Sequence, residues 1–348
     1  MTFEIAGRRI GPGEPAFIIA ELSANHNGSL EHACLVIEEA ARCGADAVKL
    51  QTYTADTITL DCDAPPFRIP GEGLWANRTL HDLYKEAYTP WEWHARLRDC
   101  AHANGLIIFS SPFDPTAVDF LHELGMPAFK VASFELTDVP LIAYAARLGK
   151  PLIMSTGMAV ESEIQDAVDA VRRTGNQQLA LLKCTSSYPA PAAEANLRTI
   201  PALAERFGVV AGLSDHTMGP AVPVAAVALG ACIIEKHFCL SRSEGGPDSA
   251  FSLEPPELRQ LVADIRTAEE SLGRAQFEPT AKELLARGYR RSLFAVEDIA
   301  AGEELTAKNV RSIRPGHGLA PKHLPEVLGR RAKVAIQRGT PLGWELVV

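Results

Sequence analysis

Eight short apolar runs recur along the first two thirds of the chain, at residues 16–20, 47–50, 106–109, 128–132, 152–154, 179–182, 209–213 and 232–234. Runs this short, bounded by Gly and polar residues, suit strands buried on both faces. Most of the gaps between them carry helical periodicity. After the first run, Ala33, Val36, Ile37, Ala40 and Ala41 follow the i, i+3, i+4, i+7 spacing, with Ser29 placed to cap them. Thr89-Pro90-Trp91-Glu92 reads as a capping box for a helix ending near Asn104-Gly105, and Asp138-Val139-Pro140 opens another that reaches Gly149. The span from Met218 to Gly230 is long enough for a crossover helix between the last two runs. Strands alternating with helices imply a parallel sheet, and eight such units an α/β fold of the (β/α)8 TIM-barrel type. A doubly wound open sheet is the alternative, but no G-x-G-x-x-G follows the first run.

Polar groups gather where each run ends. In order these are Glu21; Lys49 and Gln51; Ser110 and Ser111; Lys130, Ser133 and Glu135; Ser155 and Thr156; Lys183 to Tyr188; Ser214 to His216; and Glu235 to His237. In a parallel barrel those ends share one rim, where the active site lies. Three lysines at strand ends, Lys49, Lys130 and Lys183, with serines beside them, suit a phosphate or carboxylate ligand. His216 and His237 end neighbouring runs, so two imidazoles with carboxylates close by form a candidate divalent-metal site. Asp215 either orients His216 or caps the following helix, and Tyr188 either contacts a ligand or braces the turn at Pro189.

Composition narrows the partners. A net charge of −9 argues against nucleic acid and anionic membrane. No apolar stretch is long enough to span a bilayer, and Met1-Thr2-Phe3-Glu4 lacks the start of a signal peptide. Seven cysteines without a C-x-x-C read as reduced thiols, which places the protein in the cytoplasm.

Two segments exceed what a barrel needs. Residues 52–88 make a long loop after the second run and read as a lid or binding element. Beyond a linker at 273–285, residues 286–348 carry short apolar runs at 291–296, 310–313 and 333–336, punctuated by Gly and Pro. The expected organisation is therefore a barrel over 1–272 and a small, mostly β domain over 286–348.

The ordered motifs I-A-E-L-S-A-N-H-N-G (19–28), V-K-L-Q-T (48–52), S-S-P-F-D (110–114), K-V-A-S-F-E (130–135), S-T-G-M (155–158), C-T-S-S-Y-P (184–189), G-L-S-D-H-T (212–217), E-K-H-F (235–238) and G-G-P-D-S-A-F-S-L-E-P (245–255) resemble the sialic acid synthase family of phosphoenolpyruvate-condensing enzymes. S-I-R-P-G-H-G-L (312–319) resembles that family's antifreeze-like, or SAF, domain. Within the family, residues 49–60 and 77–93 look most like the pseudaminic acid synthases. One departure is Ser186, where sialic acid synthases carry Asn, so a hydroxyl stands in place of an amide.

The resemblance implies condensation of phosphoenolpyruvate with an open-chain amino-sugar aldehyde, 2,4-diacetamido-2,4,6-trideoxy-altrose for the pseudaminic branch, with phosphate leaving by C–O cleavage. N-acetylneuraminate or legionaminate synthesis is the alternative within the family. Phosphoenolpyruvate would be held by Lys49, Gln51, Ser111, Lys130, Ser133, Ser155, Ser186, Tyr188 and Ser214. Glu21, Glu135, Glu235, His216 and His237 would be catalytic, and the two histidines would bind the metal, Mn2+ first and Mg2+ or Co2+ as alternatives. Asn77, Asp248 and Arg314 would contact the sugar, and Phe113, Phe134, Tyr53 or Trp75 would read its apolar substituents. The resemblance also implies a domain-swapped homodimer. Readings from other classes are a Schiff-base aldolase using Lys130, a metal-dependent phosphoesterase, and a carbohydrate- or ice-binding protein led by its C-terminal domain.

Overall fold

A computed structural model describes residues 1–71 and 74–348. It falls into two compact units, Met1–Gly273 and Arg274–Val348. The first opens with an antiparallel hairpin, β1 (Phe3–Ile5) and β2 (Arg8–Ile10). Eight parallel strands follow: β3 (Phe17–Glu21), β4 (Ala47–Thr52), β5 (Ile107–Pro112), β6 (Phe129–Val131), β7 (Leu152–Ser155), β8 (Leu179–Cys184), β9 (Val210–Asp215) and β10 (Ile233–His237). They close into a barrel in chain order, with β10 pairing back on β3. Each strand coincides with one of the eight apolar runs.

Strand alternation sorts every side chain on these strands. Phe17, Ile19, Ala47, Phe109, Ile153, Ala180, Leu182, Val210 and Ile233 point inward and pack together. Ile18, Val48, Ile108, Phe129, Met154, Leu181, Leu213 and Ile234 point outward against the helices. Phe3, Ile5 and Ile10 of the β1–β2 hairpin join the inward cluster, so the hairpin plugs the N-terminal end of the barrel. This element went unread in the sequence because three-residue strands carry too little periodicity. The opposite end is left for chemistry.

Local signals for the helices hold in part. Ser29 accepts a hydrogen bond from the His32 N–H at the head of the helix Leu30–Arg42, and Asp138 caps the helix Val139–Ala146 through Leu141 N. The capping box at Thr89 does not form. The Thr89 hydroxyl is buried without a hydrogen-bond partner, and the helix His94–Ala103 starts after a 3-10 turn, Trp91–Trp93. His94 does the anchoring instead. Its Nδ1 lies 3.2 Å from Pro90 O, a carbonyl that only accepts, so the ring proton sits on Nδ1. Burial holds the imidazole neutral, with its pKa pushed down to about 4. Nε2 must therefore accept from the Thr52 hydroxyl (2.8 Å), which in turn accepts from Ser110 (2.6 Å). The chain runs one way and ties the end of the long loop to the outer wall of β4 and β5.

The second unit pairs β11 (Ser292–Ala295) with β12 (Val310–Ile313) around Leu293, Ile299, Leu305 and Val327. The run at 333–336 is not a strand; Ile336 makes only an isolated bridge to Ile299. The stretch expected as a linker contains a helix, Ala281–Ala286. Among the described residues, no helix is long and apolar enough to cross a membrane.

Candidate active site

The inward positions at the C-terminal ends of the strands carry Glu21, Lys49, Gln51, Ser111, Lys130, Ser155, Cys184, Ser214 and Glu235, followed by His216 and His237. Period-two alternation puts them there: Glu21, Lys49, Ser111, Lys130, Ser155, Cys184 and Glu235 each lie two residues beyond an inward apolar neighbour, and Gln51, Ser214, His216 and His237 continue the same inward series. Lys49 pairs with Glu21 and lies 3.6 Å from Glu235 Oε1; Lys130 reaches the same oxygen at 3.5 Å. Ser214 donates to Glu235 Oε1 at 3.1 Å, Lys49 donates to Ser111 Oγ at 3.3 Å, and Lys130 donates to Ser155 Oγ at 2.7 Å. This is a buried floor of two ammonium groups, two carboxylates and three hydroxyls.

Its protonation is uneven. Burial would raise Glu235, but Lys130 and Lys49 outweigh it and hold the carboxyl below its ordinary range. Burial wins at Glu21, where Glu235 also repels charge, and the carboxyl rises to about 7 despite Lys49. Burial lowers Lys130, with Glu235 opposing; at Lys49 the two carboxylates overcome burial and raise the pKa. Glu135, in the 3-10 turn Ser133–Glu135 after β6, rises to about 7 through burial, and its Oε2 has no hydrogen-bond partner.

The two imidazoles stand side by side, ring centroids 5.3 Å apart. His216 Nδ1 lies 2.9 Å from Thr185 O, so Nδ1 carries a proton; burial opposes ionisation of the ring, but Cys184 and Thr185 O outweigh it and hold the pKa above its ordinary value. His237 is held well below its ordinary pKa by burial, then by His216, and its buried Nδ1 has no hydrogen-bond partner. An unprotonated imidazole nitrogen is a suitable donor for a divalent ion; the His237 ring offers one, and His216 Nε2 would offer the other on losing its proton. Among the described residues, no three His, Cys, Asp or Glu side chains converge into a metal-ligand set. The donor set thus fits a centre with two protein nitrogens whose remaining positions are open to substrate and water.

Around the floor, Ser133 Oγ accepts from Gly157 N–H at 3.2 Å, and a Cβ on Gly157 would come within 2.7 Å of Ser133 Oγ and closer still to Ser186 Oγ. Ser133, Gly157 and Ser186 therefore form one patch of hydroxyls and backbone N–H. Tyr188 lies beside His216 with ring centroids 4.3 Å apart, so it borders the site while preceding the turn at Pro189. Asp248, on the loop after β10, accepts from Ser23 Oγ at 2.5 Å and lies 4.0 Å from His237 Nδ1.

Several expected residues fall elsewhere. Lys183 and Asp215 occupy outward positions. Lys183 donates to Cys184 O, and Asp215 accepts from Lys236 Nζ at 2.6 Å and from Thr217, so neither touches the cluster and Thr185 O, not Asp215, orients His216. Asn77 is exposed, in a turn where its N–H donates to Ile69 O. The long loop meets the site through Trp75, whose ring packs on Tyr188 and Phe251. Tyr53 is buried against Phe113, whereas Phe134 is exposed. Arg314 is exposed in the second unit. Cys184 was missed. Its inward position after Ala180 and Leu182 was the available signal, and contact with His216 overrides burial to lower the thiol to about 7.

The NeuB family profile matches residues 36–277, and a SAF domain profile matches 290–348. The chain belongs to the NeuB family. Among NeuB-family relatives, it is 46% identical over 326 residues to the pseudaminic acid synthase of Campylobacter jejuni subsp. jejuni serotype O:2, covering 94% of this chain and 95% of that one. It is 37% identical over 340 residues to the N,N'-diacetyllegionaminic acid synthase of Legionella pneumophila, covering 96% and 95%. The crystal structure of an N-acetylneuraminic acid synthetase from Leptospira borgpetersenii in complex with citrate superposes with a TM-score of 0.73 at 32% identity, covering 82% of this chain and 95% of that one.

Proposed function

We propose that this NeuB-family chain is a pseudaminic acid synthase, condensing phosphoenolpyruvate with 2,4-diacetamido-2,4,6-trideoxy-altrose to give the nonulosonate and phosphate. The observation that carries the reading is its 46% identity, across nearly the whole chain, to a pseudaminic acid synthase, against 37% to a legionaminic acid synthase. The floor of the barrel fits the first substrate. Lys49, Lys130 and the hydroxyls of Ser111, Ser155 and Ser214 offer cations and donors to its phosphate and carboxylate, and Ser133, Ser186 and Gly157 N–H extend that surface.

In the reaction, C3 of the enol bonds to the aldehyde carbon, water adds at C2, and the C2–O bond to phosphate breaks. The aldehyde oxygen takes up one of the water's two protons and the departing phosphate the other. Glu21 and Glu135, both near 7, exist in both protonation states at neutrality and are the groups suited to those transfers. A divalent metal held by His216 and His237 would supply Lewis-acid polarisation of a carbonyl oxygen.

We further propose a cytoplasmic homodimer. Seven free cysteines suit a reducing compartment. The first unit carries 35 acidic and 21 basic residues and the second 8 and 13, an asymmetry that favours contact between unlike units of two copies.

The test is phosphate release from phosphoenolpyruvate with Mn2+, using the diacetamido-trideoxy sugar, N-acetylmannosamine, or no sugar. Turnover with the first sugar alone, abolished by chelator, is expected. Turnover with N-acetylmannosamine instead overturns the substrate, and release without sugar overturns the synthase reading. Trapping of Lys130 by borohydride would favour the aldolase.

A further inference from the structure

Trp75, on the long loop after β4, packs against the aromatic rings beside the two histidines. The indole of Trp75 donates its N–H to Pro247 O at 2.9 Å, which fixes the ring against the loop after β10. Its ring lies 5.6 Å from Tyr188 and 6.3 Å from Phe251, centroid to centroid. Those two rings contact each other at 4.9 Å, Tyr188 covers His216 at 4.3 Å, and Phe251 covers His237 at 4.9 Å. Trp75 is thus one ring removed from the imidazole pair.

The polarity of this wall decides what it accepts. The Phe251 side chain has no polar atom, the only polar side-chain atom of Trp75 is already used by Pro247, and Tyr188 brings one hydroxyl that stays the same whatever stands at position 75. A hydroxyl set against Trp75 would lose water and gain no partner there, whereas a methyl group would lose nothing. In the proposed reaction phosphoenolpyruvate would occupy the lysines, and a sugar whose aldehyde meets the histidines would carry its far end past Tyr188 and Phe251 to Trp75.

We propose that Trp75 is a specificity-determining residue that selects a methyl over a hydroxymethyl group at C6 of the sugar. This rests on the reading of the chain as a synthase for a trideoxy sugar. An apolar pocket discriminates against an added hydroxyl by up to about 100-fold, which sets the size of the effect.

The experiment compares kcat/KM for 2,4-diacetamido-2,4,6-trideoxy-altrose with that for the same sugar bearing a C6 hydroxyl, at saturating phosphoenolpyruvate and Mn2+. The proteins are wild type, Trp75→Phe, Trp75→Gln and Trp75→His. Wild type is expected to prefer the 6-deoxy sugar by roughly 10–100-fold. Trp75→Phe keeps that preference, because the wall stays apolar. Trp75→Gln, or Trp75→His should the first not fold, brings a polar partner and lowers the preference about tenfold or more. The KM for phosphoenolpyruvate stays near the wild-type value in all of them. An unchanged preference in the polar variants overturns the assignment, as does a rise in phosphoenolpyruvate KM that parallels the loss on the sugar, which would mark a structural role. Wild type that turns over neither sugar overturns the synthase reading and this assignment with it; wild type that turns over both equally overturns the assignment alone.

Discussion

Replacing Lys236 by Met tests the division that strand alternation makes at the ends of β9 and β10. Lys236 sits between two proposed reactive neighbours, Glu235 and His237, yet faces the outer layer. It is 1% exposed, donates to Asp215 Oδ2 at 2.6 Å and also donates to Thr217 O. Asp215 is 3% exposed and, among the described residues, otherwise accepts only from Thr217 N and Oγ1, each at 3.0 Å. Met fills the volume of the Lys stem but strands the carboxylate. Removing one partner of a buried pair costs about 3–5 kcal/mol, and the two Thr217 bonds that remain place this case near 3. At roughly 2 °C per kcal/mol for a unit of this size, thermal unfolding should move down by about 6 °C. Adding Asp215→Asn removes the stranded charge and should recover most of the loss. Turnover measured well below the transition stays near that of the parent in both proteins. A Lys236→Met protein with an unshifted midpoint and no turnover would refute the outward, structural assignment.

Three other outcomes follow from the geometry. Gly157→Ala pushes a methyl group into Ser133 Oγ and Ser186 Oγ, and the displaced hydroxyls should cost on the order of 100-fold in kcat/KM for phosphoenolpyruvate with the fold intact by circular dichroism. Glu135 binds more protons folded than unfolded between its ordinary value of 4.5 and about 7, so it makes stability fall as pH rises through that window and adds no slope above it. Glu135→Gln removes this slope, and urea unfolding should show the variant gaining on the parent by up to about 3 kcal/mol from pH 4.5 to 7. Thr52→Val leaves His94 Nε2 and the Ser110 hydroxyl without their partner, and should cost roughly 2 kcal/mol in the same assay.

The barrel was legible because each strand is a run of apolar residues long enough to be seen one at a time. The two histidines were legible for a related reason: β9 and β10 pair in register, so ends that match in the sequence match in space. The same rule, carried one step further, separates Lys49 and Lys130 from Lys183, and His216 from Asp215, because inward and outward positions alternate. What stayed out of reach depends on contacts between distant segments. Nothing around Trp75 announces Pro247, 172 residues away, and nothing in Thr89 reveals that His94 anchors its helix through Thr52. The β1–β2 hairpin is recognisable only from the inward residues it covers.

Closure of the barrel through β10 on β3 also sets a timetable for synthesis. Phe17 pairs with Ile233 and Glu21 with His237, so the first barrel strand waits for its last neighbour while more than 200 residues are made. At about 5–20 residues per second this is an interval of roughly 10–40 s. During it the free edge of β3 and the inward faces of the early strands, together with the hairpin that will floor them, have no closed cylinder to enter. Sequences that slow translation before His237 lengthen that interval, and chaperones that shield strand edges act within it. For this chain, the time the ribosome takes to reach the seam sets how long those edges stay unpaired.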